Sequence, residues 1–419
     1  MAHAMVVYPK PNEYKKPRFG FSYNWALLGT ILHDAGHRVI SHDYSCEDFE
    51  RPVFLRQLWE NRIDLVIIEF DSFGLKRSEN ERHGKHLVQS IKETYPEISV
   101  IAYGYYCCIT GSDIPLSDLT VKQNDINAIL DGIQQVHKDI LLKPYDGFDS
   151  LPPINRLLLQ SIPYFRKNNT YTLIETARGC GNTCVFCQRK GWQQGYIPHS
   201  YDYIMAEFKT IHHQGFKNIW IIDENFTFRL ERAKQILAGI TEQGITKDMK
   251  IALSSWANID IEFLDMAAKA GVKVISFGIE SGNEGILRFY RKNIDLKKAE
   301  YLIQYADSIG IFTIGNFIIG APMETLDTIN ETAEFIRKCS FDQVNIKTLD
   351  YMNGSELYSR LHKDTIKGET HVFACKENGL TTLPLRAIIA LKDSFITAYY
   401  QERKQRLEKK IALHGTPYD

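Results

Sequence analysis

The sequence predicts an α/β protein: a Rossmann-like N-terminal domain, then a partial (β/α)6 barrel, then a helical C-terminal segment. Three observations predict it. Strand-like and helix-like segments alternate over residues 1–137. A proline-marked stretch, 141–170, then breaks the rhythm. From Tyr171 the alternation resumes for about 180 residues, with six strands separated by amphipathic helices. Repeated βα units of this length build either a doubly wound sheet or a barrel.

In the first run, Ala4–Tyr8 is a short apolar strand. Asn24–Gly36 has helical spacing, with Leu27, Leu28, Ile31 and Leu32 on one side and Gly36 as a C-terminal cap. Arg38–Asp43, Ile63–Phe70 and Ile98–Tyr103 read as strands, and Gly84–Thr94 and Asp125–His137 as helices. The continuous apolar character of IDLVIIEF suits a parallel sheet buried on both faces. Pro144, Pro152, Pro153 and Pro163 mark 141–170 as a linker, so domains are expected at 1–140 and 171–350. Barrel strands are read at Tyr171–Ala177, Asn218–Asp223, Ile251–Ser255, Val272–Ile279, Phe312–Ile319 and Gln343–Leu349. Helices are read at Tyr201–His213, Leu230–Glu242, Ile261–Ala270, Leu296–Ile309 and Leu326–Lys338. In the C-terminal segment, 351–419, a long helix spans 384–412; its late charged run, RKQRLEKK, reads as a solvated face.

Composition excludes several classes. Hydrophobic residues are 44% and charged residues 24%, which rules out disorder, collagen and mucin-like stalks. The 50 Lys+Arg balance 51 Asp+Glu, so no global field points to nucleic acid. No apolar run has the length a membrane span needs. The first residues lack the apolar core of a secretory signal, and the expected compartment is the cytoplasm.

In a long chain expected there, the eight cysteines are not a disulfide framework. Three of them, Cys180, Cys184 and Cys187, form a C-x3-C-x2-C loop directly after the first barrel strand. Gly179 and Gly181 free the backbone to wrap a bulky object. Three thiolates this close suit an iron–sulfur cluster whose fourth iron keeps an open position. Zinc is the alternative, but it wants a fourth ligand. The next cysteine is Cys339, and His199 lies 12 residues past Cys187.

The loop, with aromatic Phe186 before its third cysteine, resembles the radical S-adenosylmethionine (radical SAM) superfamily, and the resemblance covers roughly residues 171–360. It implies a 4Fe-4S cluster on Cys180, Cys184 and Cys187, with SAM chelating the open iron. In that family the reduced cluster cleaves SAM to a 5′-deoxyadenosyl radical, which abstracts a substrate hydrogen. Other segments resemble motifs of one large subgroup. Asp223-Glu224-Asn225-Phe226 is similar to its acidic turn after the second strand; it implies contact with the SAM amino group or, alternatively, a helix cap. Phe277-Gly278-Ile279-Glu280-Ser281-Gly282 matches its F-G-I-E-S-G element, implying SAM contacts from Glu280 and Ser281, or a buried structural Glu. The stretch from Gly315 through Asn316 and Gly320 to Glu324 resembles the element that packs on adenine, or a plain strand-to-loop turn. Gly354-Ser355-Glu356-Leu357-Tyr358 resembles G-T-x-L-Y. Where the subgroup often has Arg, this chain has Trp256, a candidate pocket wall or a core aromatic.

A Rossmann-like domain before such a barrel resembles the cobalamin-binding-like (B12-binding-like) subgroup. The D-x-H-x-x-G motif is absent: His33 and Gly36 stand in place, but Ile31 replaces the Asp. Tyr103-Gly104-Tyr105-Tyr106-Cys107-Cys108 replaces G-G-P, and Gln123-Asn124-Asp125-Ile126-Asn127 replaces a later glycine-rich strand. Two readings stand. One is a cobalamin-dependent methylase of a small biosynthetic intermediate. The other is a cobalamin-independent dehydratase, epimerase or dehydrogenase of a sugar or aminocyclitol-type substrate. Both imply an electron donor such as flavodoxin or ferredoxin. A non-catalytic iron–sulfur or nucleotide-binding regulator is a third class, opposed by the intact SAM motifs. No motif in 351–419 names a substrate, and Tyr351, Asn353 and His371 stay unassigned.

Overall fold

The computed structural model describes residues 1–10, 22–70, 77–123, 125–167, 170–191, 195–245, 249–362, 366 and 370–416. The replaced glycine-rich stretch includes Asn124, which lies outside them, as do 168 and 169 of the linker stretch. The chain forms two compact units: residues 1–174 with 209–216, and 175–208 with 217–419.

In the first unit, β1 (His3–Tyr8), β2 (Arg38–Asp43), β3 (Leu65–Glu69), β4 (Ser99–Tyr103) and β5 (Leu119–Thr120) form one sheet in the order β2-β1-β3-β4-β5. All pairs are parallel. This is a doubly wound order with its switch point between β1 and β3. The segments that follow those strands, 11–21 and 71–76, lie outside the described residues. Apolar side chains of β1, β3 and β4 (Met5, Val7, Val66, Ile68, Val100, Ala102) meet Phe54, Leu58, Leu87, Val88 and Ile91 in one core.

The read strands and helices appear with ends shifted by a residue or two, except that the helix read from Gly84 begins at Arg77. Helices at Arg51–Glu60 and Tyr105–Thr110 were not legible. The first carries Pro52 in its first turn, where proline is tolerated. The second begins at Gly104, whose φ of +113° and approach to the Phe70 carbonyl (2.7 Å from a built Cβ) exclude a side chain. Tyr105 and Cys107 are buried there, and the Tyr106 hydroxyl donates to Glu81 at 2.7 Å. Tyr105 and Cys107 are core residues here, and Tyr106 is half-buried beside them.

Of the six barrel strands, the first is Thr172–Ile174 (β6), the last residues of the first unit's long segment. In the second unit β7 (Ala177–Gly179) pairs antiparallel with β8 (Tyr196–Pro198). β9 (Asn218–Ile221), β10 (Lys250–Ser255), β11 (Val272–Glu280), β12 (Phe312–Ile319) and β13 (Gln343–Thr348) are a continuous parallel run. Short helices at Glu284–Tyr290 and Glu356–Ser359 escaped the sequence reading. A small antiparallel pair, β14 (Asp350–Met352) and β15 (His371–Phe373), follows.

The C-terminal helix, Leu385–His414, corrects one expectation. Its charged run is not simply a solvated face. Lys404, Gln405, Glu408 and Lys409 are exposed, but Arg403, Arg406 and Lys410 turn inward. Lys410 Nζ lies 2.6 Å from Asp307 and 2.5 Å from Asp342, and Arg403 donates to the Phe341 carbonyl at 2.6 Å.

Candidate active site

The cysteine loop does not spring directly from the barrel strand, as the sequence suggests. The stretch read as one strand over 171–177 breaks at Glu175–Thr176, and the β7–β8 hairpin intervenes. Asp223 makes the break. Its carboxylate accepts from the backbone N–H of Thr176 (2.7 Å) and Ala177 (3.1 Å) and from the Thr176 hydroxyl (2.5 Å). Burial pushes this carboxyl up to about 6 despite those bonds. Asp223 is therefore committed to shaping the hairpin.

Past β7 the chain turns at Gly179, with φ of +82°. A Cβ on Gly181 would stand 2.1 Å from the Phe228 ring, so only glycine fits there. Val185 anchors the loop in an apolar cluster with Ile286, Tyr290, Leu349 and Leu357. Phe186 sits edge-on to Tyr290 at 5.1 Å.

Cys180, Cys184, Phe186, Cys187, Glu224 and Glu280 all line one cavity of about 540 Å³. Burial pushes the Cys184 thiol up to about 12 and raises Cys187 as well. Such thiols stay neutral unless a metal centre binds and deprotonates them. Asn182 Nδ2 lies 3.1 Å from Cys180 Sγ, a donor aimed at a sulfur. Glu224 pairs with Arg189 through Oε1, while its Oε2 is buried without a hydrogen-bond partner among the described residues. Glu280 adopts a left-handed φ of +75° at a bulge between β11 and β12. That conformation costs a non-glycine residue about 1 kcal/mol and aims its carboxylate into the cavity.

Three sequence candidates are not brought to the cavity wall. Ser281 is buried 3.2 Å from the Thr332 hydroxyl and accepts from the Asn283 N–H. Asn316 uses both ends of its amide, donating to Ser276 and Phe277 and accepting from Asn345. Gly320 turns the chain at φ of +116°, its N–H bonded to Glu324. Conversely Arg189, Trp256 and Lys292 line the cavity, and only Trp256 was singled out beforehand. Lys292 follows a helix the sequence reading missed, so nothing tied it to the motifs.

Residues 174–336 match the family model of the radical SAM superfamily. The chain carries a radical SAM domain. It is 30% identical over 222 residues to a protein named uncharacterized methyltransferase from Pyrococcus horikoshii, covering 51% of this chain and 45% of that relative. The chain thus spans under half the length of that curated relative. Two solved structures share its fold at 15% identity. The cobalamin-dependent radical SAM enzyme OxsB, with aqua-cobalamin and SAM bound, superposes with a TM-score of 0.70 over 90% of this chain and 65% of its own. The radical SAM methyltransferase TsrM from Kitasatospora setae, with cobalamin and a 4Fe-4S cluster bound, gives 0.69 over 87% and 79%.

A radical SAM domain implies a 4Fe-4S cluster and SAM, and the residues present fit both. Among the described residues no three His, Cys, Asp or Glu side chains converge as they would on a single ion. A cluster asks for something different: each thiolate bonds its own iron, and the sulfurs stand around a bulky object. The buried, unpartnered Glu224 Oε2 supplies an acceptor for an ammonium group. In the first unit the carboxyl end of β2 carries two buried polar atoms without hydrogen-bond partners among the described residues, His42 Nε2 and Asp43 Oδ2. That end of a doubly wound sheet is where ligands bind.

Proposed function

We propose that this protein is a cobalamin-dependent radical SAM methyltransferase acting on a small molecule. The observation that carries the reading is the single cavity shared by three cysteines, Glu224 and Glu280. Cys180, Cys184 and Cys187 would hold the cluster. Phe186 packs the loop in place. Glu224 Oε2 would accept from the SAM amino group, and the Lys292 ammonium would receive the SAM carboxylate. Ser281, Asn316 and Gly320 act through the turns and strand contacts they hold. Bound there, the cluster supplies the electron that cleaves SAM, and an electron donor such as flavodoxin or ferredoxin reduces it. The functional domains run 1–140 and 171–350, linked by 141–170, with the C-terminal segment 351–419 following the second. The carboxyl edge of the first sheet takes cobalamin. The methyltransferase name of the relative and the cobalamin-containing fold neighbours favour this over the cobalamin-independent reading.

The test is product analysis on the reconstituted, reduced full chain with SAM. Wild type is expected to form 5′-deoxyadenosine, and S-adenosylhomocysteine once a methyl acceptor is present. The C180A/C184A/C187A variant should form neither. 5′-Deoxyadenosine from the triple variant would defeat the assignment.

A further inference from the structure

We propose that Trp256 is the positioning residue for Lys292, and that its indole lets Lys292 exchange Glu280 for an anionic group of the bound ligand. This rests on the reading that the cavity takes SAM. The Lys292 side chain is 2% exposed, deep for a lysine. Two groups of different kinds flank its Nζ. Glu280 Oε1 lies 3.2 Å from Nζ, and the centroid of the Trp256 ring lies 3.7 Å away. The three groups converge over Gly278. A Cβ there would stand 3.0 Å from Glu280 Oε1, 3.3 Å from Lys292 Nζ and 4.0 Å from Trp256 Cδ1. The absent side chain is what makes room for them.

A buried ammonium held by one carboxylate alone cannot release it without being stranded. The indole face removes that obstacle. It attracts the cation electrostatically and does not compete for its hydrogen-bond donors. Trp256 is also fixed independently of Lys292. Its main-chain N–H donates to Asn225 Oδ1 at 3.2 Å and its main-chain carbonyl accepts from the Ser255 hydroxyl at 2.5 Å, which hold the backbone from which the ring projects. Lys292 can therefore turn from Glu280 toward a ligand carboxylate while staying on the ring. The sequence alone left Trp256 open between pocket wall and core; this geometry gives it a task.

The experiment compares SAM with decarboxylated S-adenosylmethionine, which keeps the amino group and sulfonium. Both are titrated calorimetrically into the anaerobic, cluster-reconstituted full chain. Trp256→Leu should weaken SAM about tenfold, with decarboxylated SAM unchanged within about twofold. Trp256→Phe should recover most of that loss, because a phenyl ring also presents a π face. Equal losses for both ligands would reduce Trp256 to packing, and no loss for either would remove it from the site. SAM cleavage by wild type reports separately on the underlying reading. If wild type cleaves SAM and Trp256→Leu does not discriminate, only the Trp256 proposal falls. If wild type neither binds nor cleaves SAM, both fall.

Discussion

Asp43 shows how one buried carboxyl sets a pH dependence. It ends β2 fully buried, with Oδ1 accepting from Ser45 and Oδ2 unpartnered. Burial pushes it up to about 6 from an ordinary 3.8. The folded state therefore holds this proton more tightly than the unfolded chain does. Its contribution to stability is present below about pH 4 and is lost as pH rises through 6. Asp43→Asn does not titrate. Relative to wild type its melting temperature should rise between pH 4 and 6 and then level off. A difference constant across that window would show that Asp43 does not carry the dependence. At this scale the sequence was legible where chemistry repeats a pattern: the cysteine spacing, Phe186, Glu224 and Glu280 all reach the cavity. Ser281 and Asn316 show its limit. A motif places a residue at a strand end, but whether its polar atoms face the cavity or a neighbour is decided by packing: Thr332 takes Ser281, and Asn345 takes Asn316.

Among elements, the long periodic helices were legible because each buries one apolar stripe; Tyr201–His213 and Leu230–Glu242 match to the residue. Short ones were not. Glu284–Tyr290 depends on an Asn283 cap rather than on periodicity, and Lys292 was lost with it. The C-terminal helix misled for a different reason. Its inward stripe is charged, so hydropathy cannot tell it from the solvated side. Lys410 joins that helix to Asp307 and to Asp342, whose side chain is fully buried. Removing the cation leaves Asp342 with the Thr313 N–H at 2.8 Å, the Thr313 hydroxyl at 3.3 Å and a longer approach from Arg406, 3.8 Å. Lys410→Met should therefore cost about 3 kcal/mol in chemical denaturation, the low end for a broken buried pair. A loss under about 0.5 kcal/mol would mean that the helix is held by its apolar residues alone.

For the molecule as a whole, two parallel sheets were expected from two runs of alternation, and two are present among the described residues. Their boundary was harder to read, because the first barrel strand is only Thr172–Ile174 and the compact units divide at its end. No helix among the described residues is long and apolar enough to cross a membrane. The account makes the second unit a cluster-binding domain and the first a cobalamin-binding one. Metal analysis of the full chain after anaerobic reconstitution with iron, sulfide and hydroxocobalamin tests this most directly. The account predicts about four irons per chain together with stoichiometric cobalt. Iron without cobalt would contradict the methyltransferase reading, and zinc in place of iron would contradict the three-cysteine cluster itself.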